Sequence, residues 1–307
     1  LLNFSLVRAL LHYGATQSRA QGKVLRFTLT TNGLLLDEEK LDLLNRYQVQ
    51  LILSLDGRPA VHDRYRVFPD GRGSYAAVLP RVQAAVAARQ GENYFIRGTF
   101  TRANLNFSED VAHLVALGLR RLSLEPVVAA ATEDFALRPE DLPVLAAEYD
   151  RVVALHLEEQ AAGRPFTFFH FQIDLEPGLC LPKRLQGCGA GYQYLAVAPG
   201  GELYPCHQLV GQPAFLLGSV QQGVTNRRLQ EQFLSLHVLN KTCRHCWARY
   251  FCGGGCHAAN LSYGSRMEQP YALACSLVKK RLECAIYLKA SGKDQVIMPF
   301  TGHQKQC

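Results

Sequence analysis

Four cysteines fall between residues 243 and 256, in the run Cys243-Arg-His-Cys246-Trp-Ala-Arg-Tyr-Phe-Cys252-Gly-Gly-Gly-Cys256. The spacing is C-x2-C-x5-C-x3-C. Thiols at this density serve as metal ligands, disulfide partners or redox groups. Two or three intervening residues let both sulfurs turn towards one ion or cluster, so the short spacings point to metal. Gly253, Gly254 and Gly255 fit that chemistry. A residue without Cβ lets the backbone bend sharply and brings N–H groups close to sulfur.

The distribution of thiols supports the same reading. The chain has ten cysteines, and residues 1–179 contain none of them. A secreted disulfide scaffold would spread them through the fold. Cysteines clustered beside a cysteine-free α/β half point to ligation in a reducing compartment, and hence to a cytoplasmic location.

The flanking sequence carries more of the pattern. Upstream lie Gly187-Cys188-Gly189-Ala-Gly191 and Tyr194-Leu-Ala-Val-Ala-Pro-Gly-Gly201-Glu-Leu-Tyr204-Pro-Cys206, and downstream lies Cys275. Gly201 and Cys206 make a G-x4-C. The combination resembles the SPASM domain of radical SAM peptide maturases, which carry C-x(n)-G-x4-C, then C-x2-C-x5-C-x3-C, then a last cysteine. The resemblance covers most of residues 180–285.

It implies a crossed ligand pattern. Cys243, Cys246, Cys252 and Cys275 would hold one auxiliary [4Fe–4S] cluster. Cys188, Cys206 and Cys256 would hold a second, with Cys180 a candidate fourth ligand, or that site open to a substrate thiol. The competing reading is one or two structural zinc ions, since C-x2-C also suits zinc. Cys284 reads as a buried apolar residue on a helix over 275–288, and Cys307 as a loose terminal thiol.

The elements that position these groups can be read in order. Residues 4–13 have helical periodicity, with Asn3 a cap and Gly14 a stop. Residues 24–31 and 50–55 read as strands, the second a near-continuous apolar run suited to a buried parallel sheet. Helices are expected over 37–47, 74–89 (with Pro80 inside), 108–117 and 139–160. Further strands are expected over 94–101 and 122–126. Alternating strands and helices imply a parallel sheet with crossover helices. The expected fold class is α/β: an incomplete, partial parallel (β/α) barrel of the radical SAM type over 1–163, then a cysteine-rich SPASM domain with two iron–sulfur clusters over 164–290, then a tail over 291–307.

The strand ends fit the resemblance. Thr30-Thr-Asn32-Gly33, Ser54-Leu-Asp56-Gly57 with His62-Asp63-Arg64-Tyr-Arg66, Arg97-Gly-Thr-Phe-Thr101 and Leu124-Glu-Pro126 look like the third to sixth strands of the radical SAM barrel. Active sites of parallel barrels form at such C-terminal strand ends. The resemblance implies that Ser54 and Arg66 contact the ribose and carboxylate region of S-adenosyl-L-methionine (SAM), and that Val127 makes a backbone contact near adenine. The plainer reading makes Ser54 a core hydroxyl and Arg66 a surface charge. Asp56 reads as a turn-fixing residue.

Two family motifs are absent from the 307 residues. These are the C-x3-C-x2-C that holds the SAM-binding cluster and the Gly-Gly-Glu that grips the methionine amine. Family members read G-G-E-P followed by an apolar helix, and this chain opens at such a helix with Leu1. The expectation is a truncated sequence, with a third [4Fe–4S] cluster in the complete protein only. The chain by itself is then expected not to cleave SAM.

The text around the cysteines looks closest to the maturases of six-cysteine (SCIFF) ribosomal peptides. That implies a thioether between a peptide cysteine and the backbone carbon of an acceptor residue, a cysteine-rich precursor peptide as partner, and an electron donor such as flavodoxin or ferredoxin. In the sulfatase-maturing branch an Asp follows the cysteine matched by Cys206 and acts as base. Here the residue is His207, a candidate catalytic proton shuttle or a hydrogen-bonding neighbour of the cluster. The alternatives are another SPASM maturase, sulfatase-maturing or carbon–carbon crosslinking, and a non-catalytic zinc-binding module.

Composition fits a globular protein, with 48% hydrophobic and 19% charged residues and a net charge of +7. Basic residues are dispersed without the aromatic interleaving of a nucleic-acid surface. The chain lacks the long apolar run of a transmembrane helix. Neither nucleic acid nor membrane is an expected partner.

Overall fold

A computed structural model describes residues 1–173, 181–264 and 266–292. The chain forms two compact units. The first comprises Leu1–Val127 and Ala147–Gln172, and the second Val128–Ala146 and Ile173–Cys307.

The first unit is built on a parallel sheet in the order β1-β2-β3-β4-β5, with every neighbouring pair parallel. Its elements in chain order are α1 (Phe4–Gln21), β1 (Thr28–Thr31), α2 (Glu38–Arg46), β2 (Gln50–Ser54), α3 (Pro59–Tyr65), α4 (Tyr75–Ala87), β3 (Tyr94–Phe100), α5 (Phe107–Ala116), β4 (Arg121–Pro126), α6 (Leu142–Ala161, from Ala147 onward) and β5 (Thr167–Phe168). Leu51, Leu53 and Leu55 are fully buried, as are Ile96, Leu122 and Leu124. Each such side chain contributes about 1.5–3 kcal/mol on burial. Phe100 stacks on Phe107 at 4.4 Å, and Phe107 meets Tyr149 edge-on at 4.9 Å, which joins the sheet to α5 and α6.

Capping follows the sequence. The Asn3 side chain accepts from Leu6 N–H at the start of α1, and Asp37 accepts from Lys40 N–H at the start of α2. Gly14 does not stop α1. The helix continues to Gln21 and ends at Gly22 in the left-handed conformation. A Cβ at Gly14 would lie 2.7 Å from Leu25 and Phe27 side-chain carbons, so glycine is there for close packing against the segment before β1. That segment is correspondingly not strand, and β1 is limited to Thr28–Thr31. Helix α3 lies between the expected strand over 50–55 and the expected helix over 74–89, in a stretch for which the sequence suggests no element. The sheet also continues past the expected boundary at residue 163, because β5 pairs with β4 through Arg121↔Thr167 and Leu122↔Phe168.

The second unit carries the cysteines. It contains α7 (Leu181–Gln186), a small antiparallel sheet of β6 (Ala196–Val197), β7 (Glu202–Tyr204), β8 (Gly218–Ser219) and β9 (Gly223–Val224), and then α8 (Arg227–Ser235), α9 (Arg249–Cys252), α10 (His257–Gly264) and α11 (Ala272–Ala290). Leu203, Leu209, Leu217, Phe233, Leu236 and Ala258 are among its buried core residues. Asn260 is buried and ties α10 to the start of α11: its Nδ2 donates to Met267 O, and its Oδ1 accepts from Tyr271 N–H. Among the described residues, no helix is long and apolar enough to cross a membrane.

Candidate functional site

Among the described residues of the second unit, seven thiols fall into two neighbourhoods. Cys206 feels Cys256 and Cys188. Cys275 feels Cys252, Cys243 and Cys246, and Cys243 feels Cys252 and Cys246. Cys252 and Cys256 are close in the chain yet fall into different sets, because the glycines between them turn the backbone. Gly253, Gly254 and Gly255 all have positive φ, at 68°, 88° and 76°. A Cβ on Gly253 would lie 2.4 Å from Gly187 Cα. Gly187 precedes Cys188 and Gly253 follows Cys252, so the backbone segments that carry one cysteine of each set meet at this contact.

Several of these thiols share an environment. Burial is the first cause raising the pKa of Cys206, Cys243, Cys252 and Cys275, and Cys275 reaches about 11. Backbone N–H groups oppose it: those of Gly255 and Gly254 reach Cys252, and those of Gln208 and Leu209 reach Cys206. Amides directed at sulfur stabilise a thiolate ligand. The glycine donors at Cys252 are the arrangement that the Gly253–Gly255 run suggests in sequence.

The described cysteines are free of disulfides. Among the described residues, no three Cys, His, Asp or Glu side chains converge on a single-ion site. A four-iron cluster sets its thiolates farther apart than one ion does. The soft all-thiol donor sets, the amides facing sulfur and the glycine cradle fit such a cluster. Cys180 lies outside the described residues, as does Cys307. Cys284 is buried on α11.

Two neighbours of the thiols escape a reading of the sequence. Lys241 is 5% exposed, and its Nζ donates to Gly254 O at 3.1 Å and to His257 Nδ1 at 3.2 Å. Burial, with the Lys241 charge added, pushes His257 down to about 4. A lysine just before a cysteine reads as a solvated surface charge from sequence alone. His207 is placed by Tyr194, whose hydroxyl lies 2.9 Å from His207 Nδ1.

In the first unit the expected SAM residues lie at strand ends. Ser54 closes β2, where it is in register with Arg97 of β3. Val127 follows β4, and its N–H donates to Phe100 O at 2.9 Å. Arg66 is not a solvated surface charge. Its Nε and Nη2 donate to Asp56 Oδ2 and Oδ1 at 2.5 and 3.0 Å. Asp56 Oδ1 also accepts from Thr99 N–H at 3.0 Å. Asp56 thus ties the end of β2 to β3 and to the end of α3, a wider role than fixing its own turn.

A buried relay backs this pair. Asp56 N–H donates to His62 Nδ1 at 3.3 Å, Ser74 Oγ lies 3.0 Å from His62 Nε2, and the Ser74 hydroxyl donates to Arg66 O at 2.7 Å. With its proton committed to Arg66 O, Ser74 accepts from His62 Nε2–H, so His62 is neutral. Burial, the leading cause, pushes its pKa down in agreement. Gly98 makes room for the arrangement, since a Cβ there would lie 2.9 Å from Leu55 O.

No family model matches the chain. In sequence it is 24% identical over 261 residues to the serine-type anaerobic sulfatase-maturating enzyme of Klebsiella aerogenes, covering 77% of this chain and 59% of that one. It is 23% identical over 288 residues to an uncharacterized protein of Archaeoglobus fulgidus, covering 87% of this chain and 62% of that one. The chain therefore spans about three fifths of the length of these relatives. Among solved structures, native anSMEcpe with bound AdoMet and Kp18Cys peptide aligns with a TM-score of 0.69 at 17% identity, over 89% of this chain and 77% of that one. Polyhistidine-tagged anSMEcpe with bound AdoMet aligns with a TM-score of 0.74 at 16% identity, over 94% of this chain and 78% of that one. The α/β architecture with its parallel sheet is the fold seen in those AdoMet-bound structures.

Proposed function

We propose that this chain acts as a radical SAM maturase that forms a thioether crosslink in a cysteine-rich ribosomal peptide. The observation that carries the reading is the crossed grouping of thiols, Cys243, Cys246, Cys252 and Cys275 apart from Cys188, Cys206 and Cys256. These would hold two auxiliary [4Fe–4S] clusters, with Cys180 the candidate eighth ligand. When bound, SAM and its own reducible cluster supply the radical that takes hydrogen from the acceptor residue. Ser54, Arg66 and the Val127 backbone would position SAM. Arg66 spends two of its five N–H donors on Asp56 and keeps others for a carboxylate. The auxiliary site would hold the donor cysteine as thiolate and accept the electron left by bond formation. A reduced flavodoxin or ferredoxin is the proposed source of electrons.

A second reading has its own support. The Klebsiella aerogenes relative is a sulfatase-maturating enzyme, and one of the solved structures holds both AdoMet and a peptide. A sulfatase-type peptide would then be the substrate, with His207 replacing the expected acidic base. Its contact with the Tyr194 hydroxyl gives that imidazole a fixed orientation for proton transfer.

The deciding experiment has two stages. Anaerobic reconstitution of the chain should give about eight iron and eight sulfide; zinc without sulfide removes the reading. The chain joined downstream of a C-x3-C-x2-C and Gly-Gly-Glu segment should then be given SAM, reductant and either a cysteine-rich or a sulfatase-type peptide. Loss of two hydrogens, with one thiol protected from alkylation, supports the thioether. An aldehyde on the sulfatase peptide alone supports the second reading.

A further inference from the structure

We propose that Lys241 is the buried cation that sets the reduction potentials of the clusters held by the two cysteine sets. The inference rests on reading those sets as cluster ligands. Lys241 has only 5% of its surface exposed. Its Nζ reaches across thirteen residues of chain to Gly254 O, inside the glycine turn that separates Cys252 from Cys256. It also donates to Nδ1 of His257, the residue after Cys256. These acceptors take two of its three N–H bonds.

The charges that face this ammonium come from both sets. Burial is the largest influence on it and lowers its pKa, while Cys243, Cys252, Glu268 and Cys188 favour the charged form. His257 accepts from it through Nδ1 and so adds no second cation. Lys241 is therefore a positive group beside both thiol neighbourhoods, held by the same turn that keeps them apart, with Lys279 a further cation acting on Cys275. Lysine suits this position because its charge is compact.

The consequence is electrostatic. One-electron reduction of a cluster takes an electron from an external reductant, forms no bond and adds one negative charge. A buried cation stabilises the reduced form more than the oxidised one, and low polarity around it strengthens the effect. A raised potential lets the auxiliary clusters accept the electron released when the substrate radical closes its new bond.

The test uses the reconstituted 307-residue protein and Lys241→Gln, Lys241→Met and Lys241→Arg. Iron and sulfide are measured first, then each cluster is titrated with dithionite and followed by electron paramagnetic resonance. In the Gln and Met variants the reduced-to-oxidised ratio at fixed potential should fall at least tenfold, a shift of about 59 mV for one electron. The shift should be larger for the cluster on Cys243 and Cys252, and Lys241→Arg should retain most of the native potential. Gln and Met variants with full iron and unchanged midpoints overturn the proposal. Should the Gln variant lose its clusters, assembly in Arg but not in Met supports a charge role, and assembly in Met as well as Arg with native midpoints overturns it. Zinc without sulfide in the unsubstituted protein would instead refute the cluster reading itself.

Discussion

Arg66 holds Asp56 by two N–H donors, at 2.5 and 3.0 Å, and Asp56 itself is 5% exposed. The pair makes Arg66 structural before it is anything else. Removing the guanidinium leaves a buried carboxylate with Thr99 N–H as its remaining donor of this group. Arg66→Ala should therefore destabilise the first unit by about 3 kcal/mol, and Asp56→Asn combined with it should cost much less than the sum of the two. Urea denaturation of the four proteins of the cycle measures both quantities. Additive effects with unchanged stability in Arg66→Ala would leave Arg66 as a SAM contact only.

His62 gives this unit a pH dependence whose sign follows from its hydrogen bonds. It is fully buried and held neutral by Asp56 N–H and Ser74. Burial is the largest influence and lowers its pKa from 6.5; Asp56 and Asp63 raise it, and Arg66 lowers it. The unfolded chain then binds a proton that the folded chain resists. The stabilisation is complete above the unfolded pKa and is lost as pH falls from about 6.5 towards the depressed folded value, with a slope up to about 1.4 kcal/mol per pH unit. His113 shifts the same way for the same leading reason, so its contribution adds to the slope. Stability measured between about pH 7 and pH 5 should fall less steeply in His62→Gln than in the unsubstituted chain.

The sequence was informative where a local rule and the tertiary fold agree. Strand β2 was visible because a strand buried in a parallel sheet carries a near-continuous apolar run. Asn3 was visible as a cap because its side chain acts within one turn, whereas Asp37 was read as the first residue of its helix and proves to be the cap. Gly14 misled because glycine serves both to end a helix and to admit a neighbour, and only the position of Leu25 and Phe27 distinguishes the two. Strand β5 has two residues and no period to detect. The Asp56 hub escaped for a related reason: Arg66, Thr99 and His62 meet it through folding, and no spacing in the chain records their convergence.

Gly253 tests how the cysteine sets are kept apart. Its φ of 68° and the 2.4 Å approach to Gly187 Cα leave no room for a methyl group. Backbone lies on the other side of the contact, so relief requires moving the Cys188 segment or the Cys252 turn. Gly253→Ala should lower iron incorporation at both sets and reduce thermal stability. Gly211→Ala is the control, since its φ of 83° carries similar backbone strain in open space. Equal losses in the two variants would assign the effect to backbone strain rather than to the contact.

The partition of cysteines is the most direct test of the proposed chemistry. Cys252 and Cys275 share one neighbourhood, while Cys206 shares the other with Cys256 and Cys188. Cys252→Ala and Cys275→Ala should therefore remove or alter the same cluster, and Cys256→Ala and Cys206→Ala the other. Mössbauer spectra of reconstituted variants enriched in the Mössbauer-active iron isotope distinguish the two populations, because each substitution leaves one cluster with its native signature. Substitution also removes a negative ligand, so the damaged cluster should lose iron more readily to a chelator than its intact neighbour. If Cys252→Ala and Cys256→Ala change the same spectral component, closeness along the chain has prevailed over the glycine turn, and the two-cluster assignment fails. If each changes its own component, Gly253, Gly254 and Gly255 are the device that divides one cysteine run between two metal sites.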